Sequence, residues 1–133
     1  MTLSTTALRP VLLVLSAMVL QPVLLDGVGG TLGALARFGV DARLGGRGVF
    51  VVNVLGSLAL GALVAAPLDD RLLLVFGTGF CGAFTTFSSF AVGVAERAEA
   101  GGPSSAVRYA VATLLAALAG VGVGGLAVRA LVA

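Results

Sequence analysis

The sequence predicts an all-α integral membrane protein with four transmembrane helices, the third of them broken mid-membrane. Three observations carry that prediction. Of 133 residues, 59% are hydrophobic and only 11% charged, against about 25% charged in a typical soluble domain. Four long apolar runs follow one another with short connections. The third run, moreover, holds glycines and hydroxyls at its centre, which is the wrong material for a plain anchor.

The first run covers residues 20–38, with room to start earlier, and the second covers 48–66 without a charge. The third, 72–95, is also uncharged, and the fourth covers 109–128. At about 1.5 Å per residue each is long enough to cross the hydrocarbon layer. The connections are residues 39–47, 67–71 and 96–108, the last carrying the breaker cluster Gly101-Gly102-Pro103-Ser104-Ser105. They leave no room for a soluble domain. The work of this chain is therefore expected inside a cell membrane that it crosses several times.

Residues 1–19 read as an N-terminal extension and 20–133 as the transmembrane domain. Arg9 followed by the apolar residues 10–20 resembles a signal-peptide core, with Ser16-Ala17-Met18 as its small residues. A disordered or interfacial extension, or a start at Met18, fits the residues better. Four crossings place Arg9, Arg71 and Arg129 on one side and Arg37, Arg43, Arg47, Arg97 and Arg108 on the other. Three against five is a slim bias under the positive-inside rule, compatible with one orientation or with insertion both ways.

Composition also excludes function classes. The net charge of +2 comes from scattered arginines, since there is no lysine or histidine, so no nucleic-acid partner is expected. Cys81 is the lone cysteine, which rules out an internal disulfide and a cysteine metal cluster. Without histidine and with six acids, a catalytic centre is hard to assemble. An enzyme is not expected.

The third run is the centre of interest. Between residues 76 and 90 lie Gly77, Gly79 and Gly82, the hydroxyls of Thr85, Thr86, Ser88 and Ser89, and five of the seven phenylalanines. Glycines and hydroxyls at mid-depth imply a broken helix with exposed carbonyls, tolerated in a membrane only inside protein or beside a cavity. Carbonyls freed there suit a hard cation such as sodium. Phe76, Phe80 and Phe84 read as packing. Phe87 and Phe90 interleave with Thr86, Ser88 and Ser89, and the positive edge of a phenyl ring offers an anion a soft contact.

Other runs add to this. Asn53 and Ser57, four apart, share a helix face that Gly61 continues. A buried asparagine needs partners, either an interhelical hydrogen bond or a polar track. Gly29 and Gly33 form a close-packing pair, as do Gly120 and Gly124. Arg37 ends the first run, where it snorkels or holds a vestibule positive. Asp26 lies eleven residues earlier, about 16 Å along a helix, and needs an interface or a partner. Tyr109 and Thr113 share a face with Ala117. A track of donors without deep carboxylates suits a small anion better than a proton-coupled cation.

These residues together resemble a known family. Gly30-Thr31-Leu32-Gly33-Ala34 followed by Arg37, then Val52-Asn53-Val54-Leu55-Gly56, then Thr78-Gly79-Phe80-Cys81-Gly82-Ala83-Phe84-Thr85-Thr86-Phe87-Ser88-Ser89-Phe90, are similar to the Fluc/CrcB fluoride channels. The resemblance implies an antiparallel, dual-topology dimer with two fluoride pores and a central structural sodium ion (Na+). It implies Asn53 as the pore amide and Phe87 and Phe90 as the aromatic pair. Thr86 and Ser88 fall on the hydroxyl stretch, Tyr109 and Thr113 on the fourth-helix polar track, and Arg37 at the vestibule. Gly82 and Thr85 would give sodium their carbonyls. The chain departs from the family at Thr113, usually serine, at Ala117, usually small and polar, and at Gly93, often glutamate. Those losses raise a paralogous partner subunit as an alternative to the default homodimer.

The function expected is passive, fluoride-selective export of cytoplasmic fluoride, which reduces its toxicity. The alternatives are a small four-helix exporter of drugs or organic cations, which would lean on Asp26, and a structural membrane protein that transports nothing.

Overall fold

A computed structural model describes residues 5–133. Helix α1 spans Thr5–Leu44, and a 3-10 turn at Gly45–Arg47 leads into α2, Gly48–Ala65. Helix α3 has three parts: Asp70–Leu72, a π-helical run Leu73–Cys81, and a last turn Gly82–Phe84. Helix α4 is Phe87–Val132, bent at Gly102 into two arms. The described residues contain helices and turns and no strand.

Two predicted connections turn out to be helix. Residues 39–44 continue α1, because Val40 to Leu44 contain no breaker and Arg43 suits the last turn. Its Nη1 donates to Gly39 O at 3.0 Å, and its charge opposes the negative end of the helix dipole. The chain turns at Gly45, with φ +52°. Residues 96–108 are helical on both sides of Gly102, the one residue there outside helical geometry. Pro103 follows it at the first helical position of the second arm, where a missing N–H costs nothing. After α2, Ala66 is extended ahead of Pro67, and the Asp69 carboxylate caps α3 by accepting from Leu72 N at 2.9 Å.

Gly102 has φ +76° and ψ 173°, a region essentially closed to residues with a side chain. A Cβ there meets nothing within 4 Å, so strain alone opposes substitution. Gly102→Ala is expected to lose about 1–3 kcal/mol of stability. Unfolding in detergent checks it against Gly122→Ala, equally open but in regular helix.

The molecule is built inside out. Among the described residues the buried hydrophobic side chains are Val52, Cys81, Phe84 and Ala106, while Leu35, Phe38, Val64, Leu118 and Leu126 are each more than half exposed. Helices this apolar on their outward faces belong in lipid. The stretches Leu13–Ala65 and Asp70–Val132 are both long and apolar enough to cross a membrane.

Glycines make the close contacts. A Cβ on Gly29 would strike Val75 O, and one on Gly33 would strike Phe80 O, so α1 lies against α3. A Cβ on Gly120 would come within 3.0 Å of Val54 O, and one on Gly124 would strike Leu58 O, so α2 lies against the second arm of α4. In both pairs the register advances in the same direction. In lipid, where apolar surface gains nothing from burial, this backbone proximity holds helices together. The expected packing role of all four glycines is seen directly.

Candidate functional site

The site grows from the break after α3. The Thr85 N–H and the Thr85 hydroxyl both donate to Cys81 O, at 3.0 and 2.9 Å, which closes the helix. Thr85 and Thr86 are then extended, with ψ of 160° and 119°. The Thr86 hydroxyl restarts the helix by accepting from Ser89 N at 3.2 Å and donating to Ser89 Oγ at 3.2 Å. A helix rich in glycine and Ser/Thr breaks here because these side chains offer the backbone local alternatives to the ladder.

Asn53 reaches across from α2 to hold the break. Its Oδ1 accepts from Thr86 N at 2.8 Å, and its Nδ2 donates to Thr86 O at 3.1 Å. Both backbone groups of one residue are thus satisfied by one amide. The pair fixes the amide's orientation, since only the oxygen can face an N–H. One Nδ2 proton is left over. Gly56, one turn on, lets α2 seat against the break: a Cβ there would collide with Thr85 Cγ2 and come within 3.2 Å of Phe84 Cδ1.

The clasp has a consequence for the carbonyls. In an unbroken helix Gly82 O would accept from Thr86 N, and Thr85 O from Ser89 N. The first donor is taken by Asn53 Oδ1 and the second by Thr86 Oγ1. Gly82 and Thr85 are therefore the carbonyls that named bonds leave without their helical donors. They fit a hard cation, which takes oxygen ligands of this kind.

An open groove of about 700 Å³ runs along the break, and Asn53, Gly82, Thr85, Thr86, Phe87, Phe90, Thr113 and Ala117 line it. Phe87 is 80% exposed. Its ring lies 5.8 Å from that of Phe90, which lies 5.7 Å from that of Tyr109. Beyond this row is a second cavity of about 770 Å³, lined by Ser88, Ser89, Gly93, Arg97 and Tyr109 among others. Apart from Arg37, the sequence-predicted residues thus fall on two cavities joined by the Phe90 and Tyr109 rings.

Hydrogen bonds sort the donors. Thr113 is buried, and its hydroxyl donates to Tyr109 O at 2.8 Å; the Thr85 hydroxyl is likewise committed to Cys81 O. Both offer the cavity an acceptor or a methyl group. Among the uncommitted donors that line a cavity are the second Asn53 N–H, the hydroxyls of Ser57, Thr78, Ser88, Ser89 and Tyr109, and the guanidinium of Arg97.

Arg37 lines neither cavity, and its Nε is buried without a partner among the described residues. Asp26 also lines neither; its backbone carbonyl abuts Gly79, and its Oδ1 is buried and unpartnered among the described residues. Phe84 is buried and stacks on Phe80 at 5.5 Å, whereas Phe76 is 44% exposed.

Sequence reasoning missed Arg97. Its Nη1 donates to Gly93 O at 2.9 Å, and its Cζ stands 3.7 Å above the Tyr109 ring. Gly93 makes this possible, because a Cβ there would come within 3.1 Å of Arg97 Nη1 and 3.5 Å of Tyr109 Cε1. The Gly93–Arg97 spacing of four and the breaker cluster that holds the Gly102 bend were visible in the sequence; the stacking of Arg97 on Tyr109 was not.

Residues 24–125 match the family model described as CrcB-like protein, Camphor Resistance (CrcB). The chain is 45% identical over 103 residues to the fluoride-specific ion channel FluC 1 of Halobacterium salinarum, covering 74% of this chain and 87% of that protein. It is 45% identical over 109 residues to FluC 2 of Natronomonas pharaonis (80% and 94% covered). Identity to FluC of Gloeobacter violaceus is 40% over 116 residues (78% and 93%). Matches of this extent to curated fluoride channels and to the family model, with all three motifs inside the matched residues, make the chain a member of the Fluc/CrcB family.

Proposed function

We propose that this protein is a passive, fluoride-selective channel in the cell membrane that lets cytoplasmic fluoride leave. The observation that carries the reading is the Asn53 clasp on a broken helix, beside a groove lined by Phe87 and Phe90. Fluoride is small and holds its water tightly, so a pore must offer close donors in place of that water. The spare Asn53 N–H, the edges of the Phe87 and Phe90 rings, and the Ser88 hydroxyl supply such contacts in sequence. Thr86, Tyr109 and Thr113 shape the same path, and Arg37 adds positive charge toward its end.

The fold reading goes with it: four crossings, the third interrupted at Thr85–Thr86, in an antiparallel dimer. Parallel registers of α1 with α3 and of α2 with the second arm of α4 support an up-down-up-down order. The open groove and exposed Phe87 support a second subunit, the same chain or a paralogue, closing the path. The Gly82 and Thr85 carbonyls would hold sodium at the centre, where its fixed positive charge stabilises the paired breaks.

Liposomes loaded with fluoride and read with a fluoride electrode test the proposal. The expected result is rapid fluoride efflux with chloride retained, unchanged in Asp26→Asn because that side chain lines neither cavity. Efflux lost in Asp26→Asn, or no efflux from well-folded protein, contradicts it.

A further inference from the structure

The structure assigns to Arg97 the capture of anions at one mouth of the path, an inference that rests on the channel reading above. The second cavity lies where the α1–α2 turn and the bend of α4 meet, since Gly46, Gly101 and Tyr109 all border it. Into it projects a guanidinium whose partners among the described residues are the Gly93 carbonyl and the face of Tyr109. Neither carries a formal charge. The positive charge is held in place without being neutralised, and its Nη2 and Nε retain donors.

Its position completes a row. From the groove outward, the rings of Phe87, Phe90 and Tyr109 follow at 5.8 and 5.7 Å, and Arg97 caps the last. Ser88 and Ser89 present hydroxyls to the same cavity. A hydrated halide entering there meets a fixed cation and two hydroxyls before it meets aromatic edges. Glu96 also borders the cavity, but the guanidinium stands over the ring that leads onward. This end of the bundle also carries Arg37, Arg43, Arg47 and Arg108 against Asp41, Glu96 and Glu99, so five arginines with Arg97 face three acids. A net excess of positive charge beside low-dielectric walls raises the local concentration of anions. Gly93 leaves room for the guanidinium, because a Cβ there would come within 3.1 Å of Arg97 Nη1.

The test is the salt dependence of fluoride efflux from liposomes, with potassium isethionate setting the ionic strength. For Arg97→Gln the initial rate is expected to fall about fivefold at ~10 mM ionic strength and less than twofold at ~500 mM, because screening removes the charge's advantage. Arg97→Lys keeps the charge and should recover most of the rate. Arg97→Met, which keeps most of the side chain's length but carries no charge, should show the same salt-dependent loss and carries the test if Arg97→Gln does not fold. Equal rates in wild type and variant at low ionic strength overturn the inference while leaving the channel reading intact. A loss of the same size at both ionic strengths also overturns it, since that is the mark of a structural role. A wild-type protein that releases no fluoride removes the channel reading and this inference together.

Discussion

Asn53→Ala is expected to lower fluoride efflux about 10- to 100-fold, the equivalent of one charge-assisted hydrogen bond of about 1.5–3 kcal/mol. Two losses combine. The anion loses the spare Nδ2 donor, and Thr86 loses partners for its N–H and C=O. Freed of the amide, Thr86 N–H can return to Gly82 O, so the break itself tends to close. Asn53→Asp separates the two effects. The carboxylate keeps the shape and still accepts from Thr86 N–H, but it opposes the Thr86 carbonyl and sets a negative charge beside the groove. Efflux is expected to fall further than in Asn53→Ala, because repulsion replaces attraction on the path. Electrode-monitored release from liposomes, with size-exclusion chromatography to confirm folding, measures both. Wild-type rates in either variant would detach Asn53 from conduction.

Gly79→Ala is expected to destabilise the α1–α3 contact, as are Gly29→Ala and Gly33→Ala, whose Cβ atoms would strike backbone oxygens of α3. A Cβ on Gly79 comes within 2.6 Å of Asp26 O, 3.1 Å of Gly29 Cα and 3.1 Å of Gly30 N. All three are backbone atoms, so relief requires α1 and α3 to separate. Overpacking of this kind costs about 1–3 kcal/mol and sometimes more. Gly27→Ala, in the same region of α1 but with nothing within 4 Å of its Cβ, should be neutral or stabilise by up to about 1 kcal/mol through helix propensity. Thermal unfolding in detergent distinguishes them; equal midpoints would mean that α1 and α3 are not packed as described.

Much of the fold is legible in the residues because a membrane restricts what a chain can do. Long apolar runs must be helices there, and a run interrupted by Gly82, Thr85 and Thr86 reads as broken from its residue types alone. The close-packing glycines at 29, 33, 120 and 124 are also readable, because small residues at spacing four have one common use in lipid. Connections are less legible. Gly39 and the Gly101–Ser105 cluster carry breaker residues, yet within those two connections only Gly45 and Gly102 take a positive φ; glycine permits a turn without compelling one.

The site is half legible for a related reason. Residue type points to Asn53, but its bonding to both backbone groups of Thr86, 33 residues away, depends on how α2 docks. The hydroxyls look alike in the sequence. In the fold Thr85 and Thr113 spend their protons on their own helices, while Ser88 and Ser89 face a cavity. Arg97 is one arginine among eight until the bend at Gly102 brings Tyr109 beneath it.

The central claim is passive conduction of fluoride along the Asn53–Phe87–Phe90 path, and its most direct test is a reversal potential. With purified protein in a planar bilayer, a fluoride gradient, equal chloride on both sides and no pH difference, current should reverse at the equilibrium potential of fluoride. A reversal that follows chloride or the cation, or a current that needs an imposed proton gradient, would contradict the account.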